Sequence, residues 1–310
     1  MTLKPILRLY SRLQALHDPV LIAAFTGRGG GSAAATVQYL VDHWGATPVG
    51  ELDPEECFDF TVRRPLVRLD NGIRVVEWPK NQIFVARNPA TQRDFVLIPG
   101  IEPHIRWKAF CEAILETLLY VGSQTALILG SRTAALPHTR PISFRLTTGA
   151  ANFERLFATK AVAPTYEGPT GITTVLQQRL TEAGVATANL TALSPFYVQS
   201  EPNPSAVIAL VEAIDKAYEW KTDLAPLLEK QAEVTRATEQ AAAQASELRA
   251  AIASLEEQYD RDHGIEPRAS SEQPSGAEAL PDSSEVVADL EAFFRELRGG
   301  GDSPSSPASN

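Results

Sequence analysis

The chain of 310 residues lacks several features that would place it in a common class. It has no run of 18 or more apolar residues, so no transmembrane helix is expected. Its two cysteines, Cys57 and Cys111, match neither a metal-binding nor a redox spacing. We therefore expect two reduced thiols, in or near the core of a cytoplasmic protein that holds no metal and no cofactor.

A basic surface is also missing. The chain carries 28 basic and 38 acidic residues, which gives a net charge of −10. Residues 1–220 contain 20 of each sign, whereas residues 221–310 contain 8 basic and 18 acidic residues. A nucleic-acid-binding protein normally presents a basic patch or stripe. We therefore expect neither a nucleic acid nor a membrane as the partner.

Residues 1–220 have the pattern of a single α/β body. Short, continuously apolar runs such as Val20–Phe25 are typical of strands buried on both faces. Their alternation with amphipathic segments favours a layered α/β fold with a mixed, mostly parallel sheet. The Asn71-Gly72 pair predicts a hairpin that adds an antiparallel extension, and a short helix is expected over 5–17. The remaining predicted strands are 66–69, 73–76, 83–86, 95–98, 126–129 and 188–193, and the predicted helices are 32–43, 105–121, 172–183 and 205–219.

Residues 221–264 follow a helical pattern. Beyond Pro226, which suits the first turn of a helix, the segment has no further proline and no glycine before Gly264. This predicts a long helical arm or a helix pair with a heptad seam, which packs either on the body or on another subunit. The seam residues are Ala241, Ala245, Leu248, Ile252, Leu255 and Tyr259.

The last residues divide into three predicted segments. Residues 265–282 are rich in Ser, Pro, Glu and Gly, which predicts a disordered linker. A short amphipathic helix is expected over 283–298, followed by a flexible tail over 299–310. Because Phe293 and Phe294 need a surface to cover them, we expect them to form a protein contact.

A glycine-rich turn, TGRGGGSAAA, follows the first buried strand and opens a helix. At such a position, backbone N–H groups and the helix dipole can bind an anion. Ser32 stands where the GxGxxG motif requires glycine, and no GK[ST] follows. The turn is therefore either a tight structural turn or an anion- or nucleotide-binding site. The residues of that site would be Gly27, Arg28, Gly29, Gly30 and Gly31.

Polar residues follow several of the predicted strands. Open α/β sheets bind ligands at the carboxyl ends of their strands, so these residues are candidates for one cleft. The alternative is that they pair within the body or across a subunit contact. No nucleophile–base spacing and no metal-ligand spacing can be read from them. The candidates are Glu102, Arg132, His138, Arg140, Glu167 and Tyr197.

Six segments in a fixed order carry a resemblance to a known family. They are VLIAAFTG (20–27), DFTVRRPLVRLDNGIRVVEWP (59–79), RDFVLIPGIEPHIRWKAF (93–110), LILGSRTAALPHTRPISF (127–144), YEGPTGITTVL (166–176) and SPFYVQSEPNPSA (194–206). Together they resemble the prokaryotic, actinobacterial-type branch of the proteasome assembly chaperone 2 family, over most of residues 18–220. The resemblance implies a three-layer α/β/α body related to purine nucleoside phosphorylases, with C-terminal helices. It also implies self-association into a small ring, for which we expect a trimer.

Two departures from the family pattern limit what the resemblance implies. The first loop of the family reads like GWNDAGDAA, whereas residues 27–33 here read GRGGGSA, without the Trp, Asn and acidic side chains. Relatives that dock on the proteasome end in a hydrophobic–Tyr–X tail, whereas this chain ends PASN. Docking by that device is therefore not expected.

Two interpretations remain. The leading one is a non-catalytic, self-associating scaffold or assembly-chaperone-like protein, whose protein partner is related to the proteasome and is not named by the sequence. The alternative is a nucleotide- or nucleoside-binding enzyme, phosphorylase-like or an ATP-dependent ligase, that uses the turn at 27–31.

Overall fold

The computed structural model describes residues 5–10, 16–27, 31–88, 91 and 93–264. The chain divides into two compact units. The larger one, called the body, runs to Arg132 and also includes Ile142–Ser194 and Ser200–Gln231. The second unit consists of Thr133–Pro141, Pro195–Gln199 and the described residues from Ala232 onward. Two loops from the first 220 residues therefore belong to the second unit, which the expected boundary at residue 220 did not anticipate.

The described residues form ten strands and eight helices. The strands are β1 (Leu7–Leu9), β2 (Val20–Thr26), β3 (Thr47–Leu52), β4 (Leu66–Asp70), β5 (Ile73–Glu77), β6 (Asn81–Arg87), β7 (Asp94–Ile101), β8 (Thr125–Ala134), β9 (Ser143–Thr148) and β10 (Ala186–Pro195). The helices are α1 (Ser32–His43), α2 (Pro54–Cys57), α3 (Trp107–Val121), α4 (Asn152–Leu156), α5 (Ile172–Glu182), α6 (Pro204–Tyr218), α7 (Ala225–Gln244) and α8 (Ser246–Asp262).

Eight of the described strands form one sheet in the order β1-β3-β6-β7-β2-β8-β10-β9. At its centre, β2 runs parallel to β7 and to β8, with Val20 opposite both Phe95 and Thr125. The pairs β1–β3, β3–β6, β6–β7 and β9–β10 are antiparallel. The mixed α/β sheet is confirmed, but the prediction that it is mostly parallel is wrong. The error has a physical origin, because only the central strands, buried on both faces, produce the continuous apolar runs that were recognised.

The sheet lies between two layers of helices, as the three-layer architecture requires. Successive residues of β2 point to opposite faces, so Ile22 joins one core and Leu21 the other. Helices α1 and α6 cover the first core, with Leu40 and Leu210 fully buried. Helices α3 and α5 cover the second core, which includes Phe110, Leu118 and Leu176.

Strand β1 lies within the range 5–17, where a helix was expected, and residues 11–15 of that range lie outside the described part of the chain. Leu7 lies opposite Leu52 in the antiparallel pair β1–β3, and Ile6 is buried in the second core. The N–H of Asp53 donates to the Ile6 carbonyl oxygen at 2.7 Å, and the guanidinium of Arg8 pairs with the Asp53 carboxylate. The open edge of β3 thus captures residues whose apolar spacing also fits a helix.

The predicted hairpin is present as a separate two-stranded sheet of β4 and β5. Asn71 and Gly72 both have positive φ angles, 50° and 82°, as a two-residue hairpin turn requires. All ten residues of the two strands are exposed. The hairpin does not extend the main sheet, whereas the predicted third strand does, as β6.

Two tryptophans of the body stack on each other. The rings of Trp44 and Trp220 are parallel within 3°, with their centroids 4.0 Å apart. The indole N–H of Trp44 donates to the Thr222 hydroxyl oxygen at 3.0 Å. Phe95 packs edge-on against Trp44. This cluster joins the end of α1 to the segment that follows α6.

The C-terminal helical segment is a helix pair. Helix α7 ends at Gln244 and α8 begins at Ser246, because Ala245 adopts an extended conformation with φ −118° and ψ 106°. Neither glycine nor proline marks this break in the sequence. Several predictions lie outside the described residues. They concern Arg28, Gly29, Gly30, the linker 265–282, the helix 283–298 with Phe293 and Phe294, and the tail 299–310.

Candidate functional site

A cavity of about 540 Å³ opens in the body at the carboxyl ends of β2 and β7, beside residues 129–131 of β8. Because β7, β2 and β8 are parallel neighbours, their carboxyl ends meet at one edge of the sheet. The first residues of α5 close another side of the cavity. Its lining combines apolar residues, among them Phe25, Trp107 and Leu129, with polar residues, among them Glu102, Ser131 and Thr173.

Glu102 binds the N-terminus of α5 from the end of β7. Its N–H donates to the Thr26 carbonyl oxygen at 2.9 Å, which fixes the position of its backbone. Its carboxylate oxygen Oε1 accepts the N–H of Ile172, the first residue of α5, at 2.8 Å. A methyl group on Gly27 would lie 2.5 Å from Oε2 of Glu102. Glycine at position 27 therefore makes room for this carboxylate.

Glu201 makes the equivalent contact at the N-terminus of α1. Its carboxylate accepts the N–H of Gly31 and, at 3.2 Å, the hydroxyl of Ser32. Ser32 is buried, and its oxygen also accepts the N–H of Asn203 at 2.9 Å. The serine that interrupts the dinucleotide-binding motif thus connects the turn to a segment about 170 residues away in the chain. Sequence reasoning missed Glu201 and Asn203, since nothing in local spacing relates them to the turn.

The protein's own carboxylates therefore lie at the positive ends of two helices, α1 and α5. A phosphate at either end would have to displace Glu201 or Glu102 and would meet their negative charge. Within the described residues, no Lys or Arg lines the cavity. The geometry at Gly27 and Gly31 favours the structural interpretation of the turn. The anion site remains a prediction for Arg28, Gly29 and Gly30.

Of the six residues predicted to share a cleft, Glu102 lines the cavity. The side chains of Arg132 and Glu167 are exposed and do not line it. The other three, His138, Arg140 and Tyr197, belong to the second unit, where each has partners within that unit.

His138 and Tyr197 form a hydrogen-bonded pair in the second unit. The N–H of His138 donates to the Tyr197 hydroxyl oxygen at 2.7 Å, and that hydroxyl lies 2.8 Å from Nδ1 of the imidazole. The hydroxyl thus bonds both the backbone and the ring of His138, and the tautomer of the imidazole sets the direction of the bond to Nδ1. Nε2 is buried without a hydrogen-bond partner among the described residues.

The ionisation of this pair follows from its burial. Burial lowers the pKa of His138, although the carboxylates of Glu239 and Glu256 oppose the shift. Burial also raises the pKa of Tyr197 to about 12. Both side chains are therefore neutral at neutral pH, which suits a structural contact.

Arg140 joins the loop 133–141 to α8. Its Nε and Nη2 donate to the two carboxylate oxygens of Asp260, at 2.7 and 2.6 Å. The neighbouring Thr139 hydroxyl donates to Glu256, which lies 3.7 Å from Nη1 of Arg140. The guanidinium lowers the pKa of the Asp260 carboxyl group. Arg140 thus acts as a bidentate clamp within the second unit.

Four of the six predicted seam residues are buried inside the second unit, whereas Ala241 is exposed and Ala245 is half-buried. Leu248, Ile252 and Leu255 form an apolar cluster with Tyr197 and Ala242. Tyr259 is buried as well. Contacts of the same chain therefore cover Leu248, Ile252 and Leu255. The remaining predicted contact residues, Phe293 and Phe294, lie outside the described part of the chain.

Among the described residues, no group of three His, Cys, Asp or Glu side chains is arranged to hold a metal ion. Cys57 and Cys111 are buried free thiols whose pKa burial raises to about 12. None of the described helices is long and apolar enough to cross a membrane.

Comparison with known proteins identifies the family. The model of the PAC2 family matches residues 25–242. A PAC2 family protein from Streptomyces avermitilis MA is 35% identical, with a TM-score of 0.67, over 72% of this chain and 95% of that chain. A proteasome-assembly chaperone homologue from Mycobacterium tuberculosis is 33% identical, with a TM-score of 0.67, over 75% of this chain and 99% of that chain.

A more distant structure agrees in fold. A protein of unknown function from Corynebacterium glutamicum ATCC 13032 is 22% identical, with a TM-score of 0.76, over 84% of this chain and 98% of that chain. None of the curated proteins matches the sequence. The family resemblance carried by the six segments is confirmed, since the family model spans more than half of the 310 residues. This chain belongs to the PAC2 family.

Proposed function

We propose that this protein is a non-catalytic, self-associating assembly chaperone or scaffold that acts on proteasome subunits. The observation that carries the proposal is membership of the PAC2 family over residues 25–242. The mycobacterial relative named as a proteasome-assembly chaperone homologue supports the choice of partner, at 33% identity. Self-association into a homo-oligomer, with three subunits as the expected number, and a cytoplasmic location are parts of the same proposal.

The geometry of the body supports a binding role over the rival nucleotide-dependent enzyme. Glu102 and Glu201 accept the N–H groups that a phosphate would need at the starts of α5 and α1. The hydroxyl group of Ser131, which lies on β8 and lines the cavity, accepts the N–H of Ala33 at 3.3 Å. These polar groups hold the loops of the body together.

The proposal is tested by assembly in the presence of the full chain. Proteasome α-type and β-type subunits from the host are mixed with and without the protein, and native mass spectrometry follows intermediates and complete particles. We expect a complex with free subunits or half-assembled particles and a faster appearance of complete particles. Absence of both a complex and an effect on rate would contradict the proposal.

A matched variant shows which part of the chain contacts the subunits. Phe293→Ala combined with Phe294→Ala removes the two aromatic side chains of the C-terminal segment and leaves the described body and second unit unchanged in sequence. If this segment is the docking element, the double variant loses the complex while the wild-type chain keeps it. If both form the complex, docking uses another surface.

The rival enzyme function has its own test. The chain is heated with ATP, NAD, nucleosides or inorganic phosphate, and its thermal unfolding is compared with the free protein. A specific ligand present at 100 times its Kd stabilises a fold by about 2.7 kcal/mol, a shift of several degrees. We expect no shift, and a saturable shift with any of these compounds would favour the enzyme.

A further inference from the structure

The hairpin of β4 and β5 presents an unusual apolar surface. Its aliphatic side chains are 41 to 73% exposed, with Leu69 at the upper end. Register places Val67 opposite Val76 on one face, with Leu69 on the same strand and face as Val67. Leu66, Ile73 and Val75 lie on the other face. Both faces of the hairpin thus expose apolar side chains, beside Arg74 on the first face and Arg68, Asp70 and Glu77 on the second.

An isolated hairpin with this surface is an incomplete structure. Two strands alone are marginally stable in water, whereas three or more strands with an apolar face are independently stable. Within the described part of the chain, β4 pairs with β5 and with no other strand. Asp70 and Ile73 flank the two-residue turn and form a hydrogen-bonded pair. Hydrogen-bonded and non-hydrogen-bonded pairs alternate along the strands, so the N–H and C=O groups of Val67 and Leu69 point away from β5, to the open edge of β4.

The charges on β4 fit a second copy of the same strand. Arg68 and Asp70 lie on either side of Leu69, and the exposed guanidinium of Arg68 also pairs with Glu77 of its own hairpin at 2.6 Å. In an antiparallel two-fold pairing centred on Leu69, Arg68 of each copy lies opposite Asp70 of the other, so two pairs of opposite charge form. Registers centred on Arg68 or on Asp70 would instead oppose two arginines or two aspartates. The open edge of β5 has no such register. In a two-fold antiparallel pairing, opposed residues lie on the same face of the sheet, whereas Arg74 and Glu77 lie on opposite faces.

We propose that β4 pairs with β4 of a second copy in the register centred on Leu69, which joins two hairpins into a four-stranded antiparallel sheet. One face of that sheet carries Val67, Leu69 and Val76 from each copy as a continuous apolar stripe. The proposal rests on the self-association part of the proposed function and is independent of the proteasome partner. A two-fold contact produces dimers, or pairs of rings, and does not by itself build the expected trimer.

Charge reversal tests the register in the full chain. Sedimentation velocity over a concentration series gives the self-association constant. Asp70→Arg opposes arginines at both pairs, and like charges across an interface cost several kcal/mol, so we expect self-association to weaken at least tenfold. Arg68→Asp combined with Asp70→Arg restores opposite charges and is expected to restore most of the affinity. Unchanged association of Asp70→Arg, or a double variant as weak as the single one, would overturn the proposal.

Cysteine crosslinking tests the geometry independently. In the proposed register, the two Leu69 Cα atoms are about 5.5 Å apart, within disulfide reach. Val76 is the matched control, since β5 of one copy lies three strand spacings, about 14 Å, from β5 of the other. Cys57 and Cys111 are buried and do not compete. We expect Leu69→Cys to give a covalent dimer on mild oxidation and Val76→Cys to remain uncrosslinked.

Outcomes of the two proposals are separable. Crosslinking through position 69 without any proteasome complex supports the hairpin contact and contradicts the proposed partner. If the chain binds proteasome subunits but positions 69 and 76 crosslink equally, or not at all, the hairpin contact alone is overturned. A trimer with the same stability in wild type and Asp70→Arg overturns it as well.

Discussion

Truncation of Leu255 to alanine measures whether the second unit is stabilised by its own core. Leu255 is 4% exposed and packs in a cluster with few other buried residues. Leucine-to-alanine changes at buried sites cost about 2–5 kcal/mol, through lost burial and the cavity that remains. A small cluster has little other apolar contact to compensate, so we expect the loss to unfold α8 locally while the body persists.

The magnitude of this effect can be read by hydrogen exchange. Since 1.4 kcal/mol corresponds to a factor of ten, the lower end of the range predicts amide exchange in α8 that is about 30-fold faster. The amides of β2 and β7, at the centre of the body sheet, should keep their wild-type rates. Peptide-resolved hydrogen–deuterium exchange of the full chain measures both regions in one experiment.

A surface substitution on the same helix is the control. Glu257 is exposed, and changes at such positions usually stay within about 0.5 kcal/mol, so Glu257→Ala should leave α8 protection unchanged. The reasoning is refuted if Leu255→Ala and Glu257→Ala give the same exchange. It is also refuted if the body strands accelerate as much as α8, because the two units would then unfold together.

Two further predictions follow from the geometry. In the unfolded state His138 binds a proton near pH 6.5, whereas burial lowers the pKa of His138 in the folded state. The free energy of unfolding should therefore fall as the pH drops below about 6.5. In urea unfolding at pH 7.5 and 5.5, His138→Gln should lose less stability than wild type between the two pH values. Gly27→Ala should force the Glu102 carboxylate away from the Ile172 N–H and lower the free energy of unfolding by about 1–2 kcal/mol, as measured with urea. Gly149→Ala is the control and should leave stability unchanged, because nothing lies within 4 Å of its added methyl group. Equal stability of these two variants would contradict the assigned role of Gly27.

The sequence predicted those parts of the fold whose residues are buried or conformationally special. Val20–Phe25 is buried on both faces as part of β2, and a continuous apolar run of this length is typical of a central strand. Asn71-Gly72 fixed the hairpin through the positive φ angles that the turn requires. The strands that were missed, β1, β3 and β9, lie toward the edges and are partly exposed, so their side chains carry a weaker pattern. Their antiparallel pairing is what made the sheet mostly antiparallel.

The candidate site was less predictable, because it depends on contacts between distant segments. Glu102 was selected from its position after a strand, and it does line the cavity. The partner of the glycine-rich turn, Glu201, follows no pattern that relates it to Gly31. The seam of α8 was identified correctly as apolar, but periodicity cannot tell whether Leu255 packs on its own chain or on another. Only the three-dimensional structure shows that Tyr197 covers it.

The stacked indoles of Trp44 and Trp220 give the body an optical signal of its own. All four tryptophans, at positions 44, 78, 107 and 220, lie in segments of the body, and the residues of the second unit contain none. Two parallel rings stacked 4.0 Å apart couple their electronic transitions, so we expect the pair to give a circular dichroism signal that disappears when the rings separate. Tyrosine absorption does not separate the two units, because five of the seven tyrosines lie in the body. A thermal scan of the tryptophan signal therefore follows melting of the body alone, without any attached dye.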